Sequence, residues 1–228
     1  MELNHSEKTQ YKLLTFISML YLTADIASTL LGYRYVHIFS FILPASPLVY
    51  VLCYPIGDSI AEVYGFKMLK RIIWFRLLCD YIFGLFLYFA LSFPVASNIA
   101  TPIDYQNLQW FYMRGLISGT IAVFCASLIN GYLIAKWKAL IRGRFFWLRS
   151  MGSSSIAVIT SATLVLIGSY AGVVKFSVIL ELSLHNFLFE LAVIALITPL
   201  LSVLVMFLKI YEKADVYDDR VLINPLKL

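Results

Sequence analysis

Charged residues are scarce in this sequence. Asp, Glu, Lys and Arg make up 14% of its 228 residues, against about 25% in an ordinary soluble domain, while 61% are hydrophobic. That balance excludes a water-soluble globular domain. No phosphate-binding glycine loop is present, so the chain has no means of hydrolysing ATP itself. It lacks a basic helix or aromatic platform in a polar segment, and this excludes a nucleic-acid partner. The three cysteines, Cys53, Cys79 and Cys125, fall inside apolar runs and are spaced unlike metal ligands. They read as small packing residues, with neither a disulfide, a metal nor a cofactor expected. No nucleophile-elbow glycines surround Ser153–Ser155, and neither His37 nor His185 aligns with these serines, so no enzyme is expected.

What the sequence has instead is long apolar runs. A bilayer crossing needs about 20 apolar residues, and six such runs occur, at roughly 12–32, 36–63, 72–94, 110–136, 151–171 and 183–209. The first follows a polar segment, Met1–Gln10, with no small-residue cleavage site behind it, and is expected to be retained. Runs of this length satisfy their backbone as helices, not as barrel strands. The expected fold is all-α: a polytopic bundle of six transmembrane helices over 12–210, flanked by cytoplasmic segments 1–11 and 211–228. Cations sort to one side. Lys8, Lys12, Lys67, Lys70, Arg71 and Arg76 belong to it, as do Lys136, Lys138, Arg142, Arg144, Arg149, Lys209, Lys213, Arg220 and Lys227, whereas the opposite loops keep only Arg34 and Lys175. The positive-inside pattern then places both termini inside, with the net charge of +5 facing anionic lipid.

The second run is longer than a straight crossing needs and carries Pro44, Pro47, Pro55 and Gly57. Kinked or unwound backbone is expected between about Ile42 and Gly57. Such a break either frees backbone groups for a ligand near mid-membrane or is a simple kink. At its end stand Asp58 and Glu62, four residues apart and so on one helical face, just before a basic boundary.

Ionisable residues within spans are costly and seek the bundle interior. Asp25, Asp58, Glu62, Asp80, Arg114 and Glu190 are the six here, with acids outnumbering the one cation. Some carboxylates are therefore protonated, water-exposed or open to a cationic or hydrogen-bonding ligand. Asp58 and Glu62 are candidates for that role or form an interface pair, and Asp25 and Asp80 are candidates for it or structural partners of Arg114. Asn130 and Ser127, one turn apart, either bond a ligand edge or glue helices together. Aromatic side chains in the spans, Tyr50 and Tyr54 among them, could stack on a flat heterocycle, though most serve packing. Gly152–Ser155 mark a close helix–helix contact.

The stretch Phe41–Trp74 resembles the VUT family, the queuosine precursor transporters of bacteria. The resemblance rests on an apolar run, then Asp58, Glu62-Val63-Tyr64-Gly65-Phe66-Lys67 and a basic pair that includes Arg71. It extends through Arg114, Trp147-Leu148-Arg149 with Ser153-Ser154, Thr198-Pro199 and the acidic tail Glu212–Asp219, nearly the whole chain. The resemblance implies a multi-pass protein of the bacterial inner membrane that imports 7-deazaguanine bases for tRNA modification. Asp58 and Glu62 would hold the amino-pyrimidine edge or carry protons, with Arg114 as a partner. It also implies an Asp near Ser161 and a Lys near Glu190, and the sequence departs from both. Partners on this reading are the small molecule and the bilayer, and a homo-oligomer is allowed. Rival readings are the substrate-binding subunit of an energy-coupling-factor importer and a membrane scaffold that binds no ligand.

Overall fold

A computed structural model describes residues 11–32, 34–38, 41–93, 105–170 and 172–217. The expectations for Met1–Gln10, for most of the loop after the third run and for the tail beyond residue 217 lie outside these residues. The chain forms α1 (Leu14–Leu31), a hairpin of β1 (Tyr35–Ile38) and β2 (Phe41–Pro44), and two short helices, α2 (Pro47–Tyr50) and α3 (Cys53–Tyr64). Four long helices follow: α4 (Phe66–Leu91), α5 (Tyr105–Leu140), α6 (Phe146–Tyr170) and α7 (Phe176–Glu212). Five helices (α1, α4, α5, α6 and α7) are long and apolar enough to cross a membrane. Large apolar side chains such as Phe75, Phe86, Leu196 and Leu200 point outward, while Asp25, Asp58, Glu62, Arg76, Arg149 and Glu190 lie buried between helices. That is the inverse of a soluble protein, and the architecture is that of a polytopic helical membrane protein.

The second apolar run does not become one interrupted helix. Its first part is antiparallel hairpin, with Tyr35 opposite Pro44 and Val36 opposite Leu43. Tyr-Val-His-Ile and Phe-Ile-Leu are rich in β-branched and aromatic residues, so apolarity alone could not separate strand from helix there. Three prolines then fall where a missing N–H costs least. Pro44 closes β2, Pro47 opens α2, and Pro55 sits in the first turn of α3, whose amides have no intrahelical partner. Gly65 ends α3 with a φ of 88°, a left-handed value that favours glycine and lets α4 leave in a new direction.

The two ends of the bundle are held differently. At one, the amides of Lys12 and Leu13 donate to Glu212 at 3.0 and 2.6 Å, and the Tyr64 hydroxyl donates to the same carboxylate at 3.2 Å. The start of α1, the end of α3 and the end of α7 therefore meet there. At the other end the Tyr170 hydroxyl donates to the carbonyl of Gly32 at 2.9 Å, and the Tyr35 and Tyr170 rings lie 6.0 Å apart. The hairpin thus caps the ends of α1 and α6. Helices α5 and α6 pack closely along their length, and Gly168 lets α6 approach Ser118.

Candidate functional site

Three polar constellations lie between these helices. The first is built on the Asp58–Gly65 motif. Asp58 is fully buried and accepts from Asn130 Nδ2 at 2.6 Å, from the Ser150 hydroxyl and from Ser154 Oγ at 3.3 Å. Three helices thus converge on one carboxylate, and the small residues of α6 supply two of its donors. Glu62, one turn later, receives the fork of Arg149 at 2.8 and 3.1 Å and Lys209 Nζ at 2.8 Å. A planar guanidinium matches a carboxylate in this two-point way. The remaining Arg149 donors reach the carbonyls of Ile134, Gly143 and Arg144.

The segment after α7 closes over this pair. Lys138 Nζ donates to the Glu62 carbonyl at 2.6 Å, to Asp215 at 2.6 Å and to the Val216 carbonyl at 2.8 Å. The Val216 amide donates to the Val63 carbonyl at 3.1 Å, and Lys209 lies 2.9 Å from Asp215. Partial burial pushes the Asp215 carboxyl up, but hydrogen bonds from Lys138 and Lys209 outweigh it and hold the group below the ordinary carboxylate range. Glu62 therefore sits in a buried ion network that fastens the C-terminal segment to the end of α3.

The second constellation is a cavity nearer the hairpin end, walled by α1, α2, α5, α6 and α7, with about 720 Å³ of space including its open side. Asp25, Tyr50, Ser161, Asn186 and Glu190 line it. Asn186 Nδ2 donates to Glu190 Oε1 at 2.9 Å, one helical turn apart. Glu190 Oε2 and Asn186 Oδ1 are buried and have no hydrogen-bond partner. The Tyr54 hydroxyl, 2.7 Å from Ser161 Oγ, also lies against Glu190. Buried polar atoms normally find partners, and an unmet acceptor costs about 1–3 kcal/mol. Both of these unmet acceptors belong to residues that line the cavity.

The third constellation adjoins the cavity through Asp25. Arg76 Nε lies 3.2 Å from Asp25 Oδ2, and both side chains are nearly wholly buried. Arg76 also donates to Ser127 at 3.2 Å and lies 4.2 Å from the centre of the Tyr21 ring. Asp80, one turn along α4, faces the same pair.

Of the residues singled out from sequence, Asp25 and Glu190 line the cavity, and Asp80 lies behind Asp25. Asp58, Glu62 and Asn130 lie away from it, in the first constellation. Arg114 carries its guanidinium 5.5 Å from the Trp110 ring centre. The cation beside Asp25 is Arg76. Arg76, Lys138 and Arg149 were expected among boundary cations, yet all three are buried in ion pairs. Asn186 went unnoticed, although it stands four residues before Glu190 on an apolar helix. Lys209 and Asp215 likewise gave no local signal, because their partners are far away in the chain.

Residues 44–204, well over half of the chain, match the protein family described as "putative vitamin uptake transporter". No curated protein and no solved structure matches the chain.

Proposed function

We propose a cargo and a binding site for this chain, which belongs to the vitamin uptake transporter family. The cargo is a small planar molecule rich in hydrogen-bond donors, a 7-deazaguanine-like base, and the site is the cavity lined by Asp25, Tyr50, Ser161, Asn186 and Glu190. Import runs by secondary transport or facilitation across the bacterial inner membrane.

The observation that carries this reading is the pair of unmet buried acceptors, Glu190 Oε2 and Asn186 Oδ1, on two residues that line the cavity. A carboxylate and an amide oxygen only accept hydrogen bonds. An amino group beside a ring N–H, as on the pyrimidine edge of such a base, supplies two donors for two acceptors. The Tyr50 ring offers a stacking face. Ser161 and Glu190, the two positions that depart from the pattern implied by the VUT resemblance, both line this cavity. The departures therefore fall on the cargo-facing surface, where they would retune the choice of base. Asp58 and Glu62 position helices on this reading and do not touch cargo.

The broken segment Pro44–Tyr64 completes a sixth crossing. Its start adjoins the hairpin end and its finish adjoins the end where Glu212 sits, which supports this reading. Six crossings put both termini on one side, and the cations around Lys12, Lys67 and Lys213 make that side cytoplasmic.

The test is uptake of a labelled 7-deazaguanine base by cells lacking their own importer and synthesis pathway, expressing either the parent or Glu190→Gln at matched membrane levels. Uptake by the parent that falls at least tenfold in the variant supports the reading. Absence of uptake by a well-inserted parent removes this cargo, and equal uptake removes Glu190 from the site.

A further inference from the structure

Two carboxylates and one guanidinium share the space behind the cavity, and their charges do not cancel. Asp25 on α1 and Asp80 on α4 face Arg76, also on α4. With both acids ionised the group carries one uncompensated negative charge in a buried setting. Such a charge is expensive unless a proton or another cation joins it.

Among the described residues, Arg76 is the cation that acts on Asp80. Tyr21 comes from α1, Tyr50 from α2, Cys53 from α3 and Tyr112 from α5. All four are neutral hydroxyls or a thiol at ordinary pH. Ser127 on α5 contributes a hydroxyl, and across the cavity stands the further carboxyl of Glu190 on α7. Within the triad, Arg76 Nε and Nη1 and Asp80 Oδ1 are buried without a geometrically good hydrogen bond, and the Tyr112 hydroxyl, also without one, lies against Asp80. Arg76 forms its close ion pair with Asp25 through Nε, at 3.2 Å, and donates to Ser127 from Nη2, so Asp80 shares the guanidinium without a hydrogen bond from it.

From this arrangement we infer that Asp25, Arg76 and Asp80 form the proton-coupling site of the transporter, with Asp80 as the carrier of one proton per cycle. This inference rests on the cavity reading for its cargo. A proton from water adds to a lone pair of an Asp80 carboxylate oxygen and forms an O–H bond. That bond breaks when the site faces the other side, and the proton returns to water there with no change of oxidation state. The coupling runs through Arg76. A neutral Asp80 leaves the guanidinium wholly to Asp25, which stays ionised and fixed as an acceptor on the cavity wall. An ionised Asp80 competes for the same guanidinium and draws it from Asp25, which weakens the hold on cargo. Proton and cargo therefore bind together and leave together.

The test uses the full chain in proteoliposomes with a labelled 7-deazaguanine base. Counterflow exchange needs only the cavity, whereas accumulation driven by an inward proton gradient needs the triad. The parent performs both. Asp80→Asn, which fixes the neutral form, keeps exchange within about threefold and loses gradient-driven accumulation, while Asp80→Glu restores it. Proton-driven accumulation by Asp80→Asn, or accumulation by the parent that follows a sodium gradient alone, overturns the inference. If the parent shows no exchange of the base, the cargo reading fails, and infrared titration of the purified protein decides the triad separately. A carboxyl C=O band that titrates in the parent and in Glu190→Gln, but is missing in Asp80→Asn, upholds a proton on Asp80. A band unchanged in Asp80→Asn overturns it.

Discussion

Replacing Arg149 by leucine removes a buried cation from the bundle and strands an acid. The fork to Glu62, at 2.8 and 3.1 Å, is lost together with the bonds to the carbonyls of Ile134, Gly143 and Arg144. Removing one partner of a buried pair costs about 3–5 kcal/mol, because the other charge is left without compensation. Lys209 still faces Glu62 and its side chain is 23% exposed, so the lower end of that range applies, about 3 kcal/mol. At about 2–4 °C per kcal/mol for a chain of this length, the melting temperature in detergent falls by roughly 6–12 °C. Arg149→Lys keeps the charge but cannot make the two-point contact, and falls between leucine and the parent. Adding Glu62→Gln to Arg149→Leu recovers part of the loss, since no carboxylate is then stranded, and the two substitutions are non-additive by about 1 kcal/mol or more. Thermal unfolding followed by intrinsic fluorescence measures these four proteins together with Glu62→Gln alone. A leucine variant within about 1 °C of the parent, or a double variant as unstable as the sum of its parts, refutes a stabilising ion network at Glu62.

The segment after α7 has its own pH dependence. The Asp215 carboxyl is depressed in the folded protein, so its contribution is complete above the ordinary aspartate value of about 4 and is lost as pH falls through the lower, folded value. Hydrogen exchange at the Val216 amide is therefore flat, apart from the intrinsic dependence of exchange on pH, from about pH 5 to 8, and protection drops only below about pH 4. Gly168→Val should separate α5 from α6. A Cβ at Gly168 would lie 2.5 Å from Ser118 Cβ, and overpacking of this kind costs about 1–3 kcal/mol, read as a lower melting temperature with the helical circular dichroism retained.

Much of this architecture can be read from apolar run lengths. The five long helices fall where such runs occur, and the hidden part is the hairpin 35–44. Tyr-Val-His-Ile and Phe-Ile-Leu-Pro are as apolar as a helix, and only pairing across the turn distinguishes them. The buried acids were equally visible, because a carboxylate in an apolar run stands out. Their partners were not. Arg149 lies 87 residues beyond Glu62 and Lys209 lies 147 beyond it, and each follows or ends an apolar helix where a cation is ordinary. Helix packing alone turns these boundary cations inward. The same holds for Arg76, which joins a run of basic residues in sequence and meets Asp25 only through the approach of α1 to α4. Asn186 is a different case, since an amide four residues before an intramembrane acid is a legible signal.

The most direct test of the cavity as the cargo site is equilibrium binding of a labelled 7-deazaguanine base to the purified protein, compared among the parent, Glu190→Gln and Asp58→Asn. Glu190 lines the cavity with an unmet oxygen, whereas Asp58 is satisfied by Asn130, Ser150 and Ser154 well away from it. Loss of one charge-assisted hydrogen bond, about 1.5–3 kcal/mol, weakens binding to Glu190→Gln by roughly 10- to 150-fold. Asp58→Asn, folded and monodisperse, binds within about threefold of the parent. The opposite order, with binding lost in Asp58→Asn and kept in Glu190→Gln, would contradict the account and move the cargo to the Asp58–Gly65 motif.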